Sequence, residues 1–152
     1  MSLKDFFVPE LLFYNMKAED KSDYFTKMSQ KALELGYVND QFEVNVKKRE
    51  DTFPTGIQLE ECAVAIPHTD AEYVNKEFIA VSVFEQSINF ASMEDADAVL
   101  DVKLAFMLGL NQPHSQLEVL TQLMTLIQDN DKVNALLNAG SKEELEKILK
   151  EL

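Results

Sequence analysis

The amino-acid sequence predicts an α/β fold built on one mixed sheet. Apolar runs of strand length occupy the middle of the chain, at residues 63–66, 78–84 and 99–110. Apolar positions recur at helical spacing towards both ends, at residues 20–35 and 113–128. No repeat or Pro/Gly-rich linker divides the 152 residues, and a chain of this length can form one full hydrophobic core.

The N-terminal third of the chain predicts one strand followed by two helices. Residues 10–15 have the composition of a short strand. Residues 20–35 form the first helix, which Gly36 ends because glycine readily adopts the left-handed conformation found after helices. A second helix is capped by residues 39–40 and is basic at residues 47–49, where cations are favourable. The apolar positions of this second helix are Phe42, Val44 and Val46.

The central part of the chain predicts a loop and then a series of strands. Residues 54–56, Pro-Thr-Gly, are typical of a loop. Strand-like runs follow at residues 63–66 and 78–84, with a further short strand at residues 88–90. The segment 99–110 alternates at first and then becomes almost wholly apolar, which is the pattern of a central strand.

The C-terminal part of the chain predicts three helices. The first spans residues 113–128, and two shorter helices follow at residues 131–138 and from Ser141 onward. Ser141 and Glu144 have the spacing of a capping box, in which each side chain bonds to the backbone of the other residue. The long helix is expected to bury one face that holds Leu117, Leu120, Leu123, Met124 and Ile127.

The charge and the cysteine count exclude several classes of function. The formal net charge of -13 repels nucleic acid and anionic membranes and attracts a basic protein partner, although on charge alone solubility is the favoured explanation. The single Cys62 excludes an internal disulfide and fits a reducing cytosol, and its apolar surroundings favour a buried small side chain over a reactive thiol.

No apolar run approaches about 18 residues, so we expect no membrane span. Any membrane process would be served from the cytoplasmic side, since the N-terminus lacks a signal-peptide core.

The segment 63–68, Ala-Val-Ala-Ile-Pro-His, is the clearest indication of chemistry. The apolar run ends in Pro67 and His68, one of only two histidines in the chain. An apolar side chain would suit a core strand better, whereas imidazole titrates near neutral pH and can act as a nucleophile. We therefore expect chemistry at His68. The nearby Asp70 and Glu72 lack tight metal-ligand spacing, which favours a solvated loop over a metal site.

The second histidine, His114, follows Pro113 in the first turn of the predicted long helix. Free N–H groups at a helix start can bind an anion such as phosphate, and the helix dipole favours a neutral imidazole that donates a hydrogen bond. His68 and His114 could therefore meet at one sheet edge, although two unrelated surface histidines would fit the residues equally well. Arg49 also has two interpretations, as a planar clamp for phosphate or only as a helix-end cation.

Two segments together resemble a known family. Residues 49–60, Arg-Glu-Asp-Thr-Phe-Pro-Thr-Gly-Ile-Gln-Leu-Glu, and residues 63–68 resemble the enzyme IIA domain of the bacterial phosphoenolpyruvate-dependent sugar phosphotransferase system, fructose–mannitol class. Members carry an Arg-Glu pair, then Thr-Gly, then Ile-Pro-His or Val-Pro-His, and later a second His at a helix start like that of residues 114–120. The form of residues 53–57 looks most like the galactitol-specific branch. Thr69 supports this, since mannitol and fructose branches usually have Gly there.

The resemblance implies a single EIIA type-2 domain over residues 1–152, with about five strands in a mixed sheet and helices on both sides. It implies that His68 takes a phosphoryl group from phospho-HPr as a phosphohistidine and passes it to a cysteine of a cognate enzyme IIB. The sugar is then phosphorylated as it crosses the membrane subunit IIC. His114 and Arg49 would donate to the phosphoryl oxygens, and no metal, nucleotide or other cofactor would be required.

Two other functions are compatible with the same resemblance. A nitrogen-related branch uses the fold and the active histidine to signal by phosphorylation state, and this regulatory role is the main alternative. A plain interaction domain without phosphotransfer is less favoured, because both histidines and Arg49 are retained.

The surface that meets HPr is expected to lie around the active histidine, with Ile66, Val74 and Met107 as candidate apolar contacts.

Overall fold

The computed structural model describes residues 2–152, and within them five strands form one sheet. They are β1 (Phe7–Met16), β2 (Gly56–Gln58), β3 (Ala63–Ala65), β4 (Phe78–Ala91) and β5 (Val99–Gly109). Their order across the sheet is β1-β4-β5-β3-β2. The β1–β4 and β3–β5 pairs are parallel, whereas the β4–β5 and β2–β3 pairs are antiparallel. The predicted mixed sheet of about five strands is confirmed.

Helices cover both faces of this sheet. They are α1 (Lys21–Glu34), α2 (Phe42–Thr52), α3 (Pro113–Ile127), α4 (Asn130–Leu137) and α5 (Lys142–Lys150), with short 3-10 turns at Leu3–Asp5 and Ala71–Tyr73. One hydrophobic core joins the sheet to α3, α4 and α5, and a second joins it to α1 and α2. The α/β class with helices on both sides is therefore confirmed.

The middle strand, β5, explains its own apolar sequence. Successive side chains of a strand point to opposite faces. Leu104, Phe106 and Leu108 enter the first core, and Ala105 and Met107 enter the second. Because helices cover both faces, the second half of this strand has no solvent-facing position for a polar residue.

The prediction of two separate strands at residues 78–84 and 88–90 is wrong. The structure has one continuous strand, β4, of 14 residues. Its register against β5 shifts between Val83 and Ile88, and the intervening residues 85–87 are exposed. An irregularity of this kind leaves residues unpaired without ending the strand. Three exposed polar residues in a row therefore look like a strand end in the sequence.

The predicted loop at residues 54–56 is one residue too long. Gly56 begins β2, a three-residue edge strand. A Cβ at this position would lie 2.5 Å from the backbone oxygen of Ala91, so the close approach of the two chain segments requires glycine. A strand of three residues is too short to show a period in the sequence.

The buried face of α3 differs from the predicted one. Leu117 is 74% exposed, and Leu120 and Met124 are only partly buried. The leucines of this helix fit two overlapping stripes at helical spacing, and only packing against the sheet selects between them. The buried residues of α3 are Ser115, Val119, Leu123, Leu126 and Ile127.

Helix caps agree with the sequence in part. The Ser141 hydroxyl accepts the N–H of Glu144 at 3.1 Å, as predicted for α5. The Glu144 carboxylate, however, accepts the N–H of Gly140 at 2.9 Å, one residue before the expected partner. At the start of α2, the Asn39 side chain accepts the N–H of Gln41 at 3.0 Å, so it supports the turn that leads into the helix.

Candidate active site

His68 lies just beyond the C-terminal end of β3, as the sequence predicts. The Leu108 N–H of β5 donates to the carbonyl of Pro67 at 2.9 Å, and His68 forms an isolated parallel bridge with Leu108. The side chain is half-buried. The backbone that carries the imidazole is therefore held by the middle strand of the sheet, although it is outside regular secondary structure.

One hydrogen bond selects the tautomer of His68. Its Nδ1 lies 2.9 Å from the carbonyl oxygen of Ile66. A carbonyl oxygen can only accept, so Nδ1 carries the proton in this contact. The neutral ring then has its lone pair on Nε2, which is the nitrogen able to act as a nucleophile.

The surroundings of His68 favour the neutral ring. Burial lowers its pKa, while the hydrogen bond to Ile66 opposes this shift. The positive charge of Arg49 lowers the pKa further, and the carboxylate of Asp70 raises it. The net direction is downward, so at neutral pH the ring is unprotonated at Nε2 and has the form that a nucleophile requires.

A cavity of about 290 Å³ joins parts of the chain that are distant in sequence. It receives residues from the last turn of α2, from the loop after β3, from the end of β5 and from α3. Arg49 and His68 both line it, so the structure brings these two predicted site residues together. The full lining consists of Arg49, His68, Thr69, Asp70, Ala71, Leu108, Leu110, Gln116 and Leu120.

Arg49, the only arginine of the chain, is held at the cavity by two contacts. Its Nη1 lies 3.8 Å from Oδ1 of Asp70, and its guanidinium carbon lies 4.9 Å from the centre of the Phe53 ring. Its Nε is buried and has no hydrogen-bond partner among residues 2–152. The guanidinium thus keeps an unused donor, which suits a group that binds an oxyanion.

His114 lies in the first turn of α3, as predicted, and is exposed. It is absent from the cavity lining, to which the same helix contributes Gln116 and Leu120. Its ring makes no hydrogen bond or ion pair within the described part of the chain. The structure therefore places His114 two residues from the lining rather than in it.

The start of α3 is less open to an anion than the sequence indicated, because Glu77 already bonds there. Its carboxylate accepts the N–H groups of Asn111 at 3.0 Å and Gln112 at 3.3 Å, and the hydroxyl of Ser115 at 3.0 Å. The N–H groups of Ser115 and Gln116 donate to the Gln112 carbonyl. Sequence reasoning missed Glu77, since nothing in its local pattern indicates a contact 34 or more residues away.

The apolar residues predicted to meet a partner are in the wrong place for that role. Ile66 is 1% exposed, Val74 6% and Met107 0%, so all three are core residues. Prominent exposed apolar side chains are instead Phe53, which lies under Arg49, and Leu117, which adjoins the lining residue Gln116. The physical reason is that the side chain of Ile66 packs in the first core, whereas those of Val74 and Met107 pack in the second.

The described residues give little indication of a metal site, a reactive thiol or a membrane-spanning helix. Residues 2–152 contain no group of three or more His, Cys, Asp or Glu side chains that could hold a metal ion. The Cys62 side chain is half-buried against the first core, and burial raises the pKa of its thiol, which disfavours the reactive thiolate. None of the helices within residues 2–152 has the length and apolar character needed to cross a membrane.

Comparison with known proteins gives one family. The family model described as "Phosphoenolpyruvate-dependent sugar phosphotransferase system, EIIA 2" matches residues 5–152. The galactitol-specific EIIA component of the phosphotransferase system of Escherichia coli K12 is 32% identical over 118 residues, which is 78% of this chain and 78% of that protein.

Solved structures with a similar fold include several proteins described as IIA. The mannitol-specific cryptic phosphotransferase enzyme IIA of Escherichia coli is 21% identical, with 100% of both chains covered and a TM-score of 0.80. The nitrogen regulatory protein IIA-Ntr of Neisseria meningitidis is 21% identical, with coverage of 96% and 97% and a TM-score of 0.79. A complex of mannitol IIA with phosphorylated IIB from Escherichia coli matches over 94% and 96% at 21% identity, with a TM-score of 0.74.

Proposed function

Because this chain belongs to the EIIA type-2 family of the phosphoenolpyruvate-dependent sugar phosphotransferase system, we propose that it carries a phosphoryl group on Nε2 of His68. The observation that carries this assignment is the bond from Nδ1 to the Ile66 carbonyl, which leaves Nε2 as the nucleophile. The cavity that His68 shares with Arg49 supports it. Residues 1–152 would act as one domain.

In the proposed reaction, the lone pair of His68 Nε2 attacks the phosphorus atom of phospho-HPr. A new N–P bond forms while the bond between phosphorus and the HPr nitrogen breaks, and the freed HPr nitrogen regains its electron pair. A cysteine thiolate of enzyme IIB then attacks the same phosphorus, and the His68 N–P bond breaks. Such transfers depend on in-line positioning and on charge stabilisation of the phosphoryl oxygens.

Arg49 and His114 are the proposed donors to those oxygens. The buried Nε of Arg49 has no partner among residues 2–152. Its guanidinium could turn from Asp70 towards a phosphoryl group at small cost, since that ion pair spans 3.8 Å. The first turn of α3 carries His114 next to the cavity-lining residues of the same helix. Neither role requires a metal or a nucleotide.

The pathway proposed for this carrier is the uptake of a sugar or sugar alcohol similar to galactitol. The galactitol-specific relative supports this substrate class, and the mannitol IIA complex supports a partner of the IIB kind. Phospho-HPr would be the donor, and the membrane subunit IIC would receive the sugar. The chain would work on the cytoplasmic side of the membrane.

Signalling by phosphorylation state is the second candidate function. The fold of the nitrogen regulatory protein from Neisseria meningitidis is similar over nearly the whole chain, which supports a role of this kind. A sugar-specific relative at 32% identity favours transport over it. The two roles differ in whether the phosphoryl group leaves His68 for a IIB cysteine.

Reconstitution with phosphoenolpyruvate, enzyme I and HPr tests the proposal. We expect the chain to acquire one acid-labile phosphate, and His68→Ala to abolish labelling while the melting temperature stays close to that of the unmodified chain. Addition of a galactitol-type IIB should then discharge the phosphate. His114→Ala removes the other histidine and keeps the acceptor, so it should still acquire the phosphate at the end point, although more slowly. Full labelling of His68→Ala would contradict the proposal.

A further inference from the structure

Two buried residues outside the cavity are connected to His68 by a row of hydrogen bonds that passes through the backbone of Ile66. The His68 Nδ1–H donates to the Ile66 carbonyl at 2.9 Å, and the Ile66 N–H donates to the Thr55 hydroxyl at 3.2 Å. The Thr55 hydroxyl donates to Oε1 of Glu50 at 2.8 Å. The Thr55 backbone N–H donates to the other oxygen, Oε2, at 2.7 Å.

The direction of every bond in this row follows from its chemistry. A backbone N–H only donates and a carbonyl only accepts, so the Thr55 hydroxyl must use its single proton on Glu50. The Ile66 N–H and both Thr55 donors therefore point towards the carboxylate, and a charged acceptor strengthens these three bonds. The bond from His68 joins them through the Ile66 backbone, whose position they fix. Glu50 is 2% exposed, Thr55 3% and Ile66 1%, so water does not compete for these bonds.

Burial and the bonds from Thr55 act in opposite directions on the carboxyl group of Glu50. Burial raises its pKa and outweighs the two hydrogen bonds from Thr55 and the positive charge of Lys21, which lower it, and the charge of Asp51 raises it further. Oε1 and Oε2 both accept from Thr55, which uses the ionised form. Burial and the negative charge of Glu50 both raise the pKa of the buried Tyr24 hydroxyl. The carboxylate of Glu50 thus holds both the hydroxyl and the backbone N–H of Thr55.

Residues 66–67 are held from both sides in consequence. Thr55 holds the N–H of Ile66, and the Leu108 N–H holds the carbonyl of Pro67. The carbonyl between them, that of Ile66, is left facing the imidazole of His68. If this carbonyl turned away, Nδ1 would lose its acceptor, and the tautomer protonated on Nε2 would become populated. That tautomer has no lone pair on the attacking nitrogen.

We propose that Glu50 and Thr55 are positioning residues that hold His68, through Ile66, in the tautomer with Nε2 unprotonated. The catalytic consequence rests on the proposed function, whereas the tautomer itself is measurable without any phosphoryl donor. Arg49 precedes Glu50 in the chain and lines the cavity. The last turn of α2 would therefore supply both a donor to the phosphoryl group and the residue that positions His68.

Thr55→Val removes the hydroxyl at nearly constant shape, and Thr55→Ser keeps it. The chain offers a matched control in Thr26, whose hydroxyl donates to Glu43 at 2.9 Å and accepts from Lys47 at 2.8 Å. Thr26→Val therefore removes a threonine–glutamate bond of the same kind between α1 and α2. Glu50→Gln is the second test variant should Thr55→Val fail to fold, because it removes the charge at the end of the row.

Nitrogen NMR of the His68 ring is the first readout. We expect only the Nδ1-protonated neutral tautomer in the unmodified chain, in Thr55→Ser and in Thr26→Val. Thr55→Val and Glu50→Gln should show a mixture of both tautomers. An unchanged His68 spectrum in folded Thr55→Val or Glu50→Gln would overturn the inference.

Phosphoryl acceptance from phospho-HPr is the second readout. Loss of one positioning hydrogen bond should lower kcat about tenfold in Thr55→Val, with KM for phospho-HPr unchanged. Thr55→Ser and Thr26→Val should keep the rate of the unmodified chain. Equal rates in Thr55→Val and Thr26→Val would contradict the positioning role. If the unmodified chain accepts no phosphate, the proposed function fails, and the tautomer comparison still decides this inference.

Discussion

Three side chains account for the chemistry proposed at the cavity, and they differ in how tightly the fold holds them. His68 is fixed by the Ile66 carbonyl, whereas Arg49 is held by a long ion pair and by the Phe53 ring. His114 is exposed and has no partner within residues 2–152. The proposed nucleophile is therefore preorganised, and the groups that would bind the phosphoryl oxygens are free to adjust.

His114→Ala should slow phosphoryl acceptance by about 10²–10³-fold, the usual effect of removing one donor to a developing oxyanion. Stability should change little, because the side chain is exposed. His114→Gln retains an N–H donor and should recover part of the rate. Stopped-flow or quench-flow transfer from phospho-HPr gives both rates. Normal rates in His114→Ala would exclude it from the site.

Arg49→Lys should slow transfer by roughly ten- to a hundredfold, since the ammonium group keeps the charge but lacks the planar fork and the donor at Nε. The melting temperature should stay close to that of the unmodified chain, because α2 keeps a cation near its end. Lys48→Arg, on the preceding residue, is the matched control and should leave transfer unchanged. Equal transfer rates in the two variants would rule out a specific role for Arg49.

At the scale of elements, close approach between strands holds the end of β5 in place. Gly109, its last residue, packs against the ring of Phe78 at the start of β4. A Cβ on Gly109 would lie 2.0 Å from Cε1 of that ring, and Phe78 is fully buried. Leu110, the next residue, lines the cavity. The packing of two antiparallel strands therefore sets the position of part of the site.

Gly109→Ala should destabilise the fold by about 1–3 kcal/mol, because the buried ring must shift to admit the methyl group. Gly140→Ala is the control, since its Cβ would meet only the flexible carboxylate of Glu144, at 3.1 Å. Urea unfolding measures both changes. Similar stability of the two alanine variants would show that the Phe78 ring can yield.

At the scale of the whole molecule, different parts of the site are supported by two different hydrophobic cores. The core that includes α1 and α2 supports Arg49 and Glu50, and the core that includes α3, α4 and α5 supports the helix that starts at Pro113. The sheet lies between them, and His68 leaves it at the edge where the two layers meet the cavity. Stability of the sheet and geometry of the site are thus coupled.

Stability should depend on pH through His68 in a predictable direction. Its pKa in the native state is lowered from the ordinary value of 6.5, so the unfolded chain takes up a proton first as the pH falls. The stability that the neutral ring contributes is present above about pH 6.5 and is lost as the pH falls below it. Glu50, with a raised pKa, acts in the opposite direction, since its contribution is lost as the pH rises through its native pKa.

Comparison with His68→Gln isolates the histidine, because Glu50 is present in both chains. Urea unfolding between pH 7.5 and 5.5 should show a larger loss of stability in the unmodified chain than in the variant. Parallel curves would mean that the imidazole protonates equally in the native and unfolded states. Phosphoryl acceptance should decline at a lower pH than the ordinary histidine pKa for the same reason, because burial lowers the pKa of the native His68 ring.

Local sequence was sufficient for the class of fold and for naming the residue proposed to accept the phosphoryl group. The apolar runs at residues 63–66 and 99–110 predict buried strands, because a strand that is apolar on both faces is stable only when both faces are covered. The Ile-Pro-His end of the first run and the single arginine are visible in the chain without any contact. Short range is enough for these features because a period or a motif spans only a few residues.

Tertiary structure decided what depends on contacts between distant segments. It selected the buried face of α3, joined β4 across its irregular register and placed the Glu77 carboxylate at the start of α3. It also placed the Thr55 hydroxyl between Glu50 and Ile66, which in turn orients the His68 ring. The sequence by itself determined which residues can do chemistry. Their tautomers, partners and distances were decided only by packing, because those depend on the direction of each side chain in three dimensions.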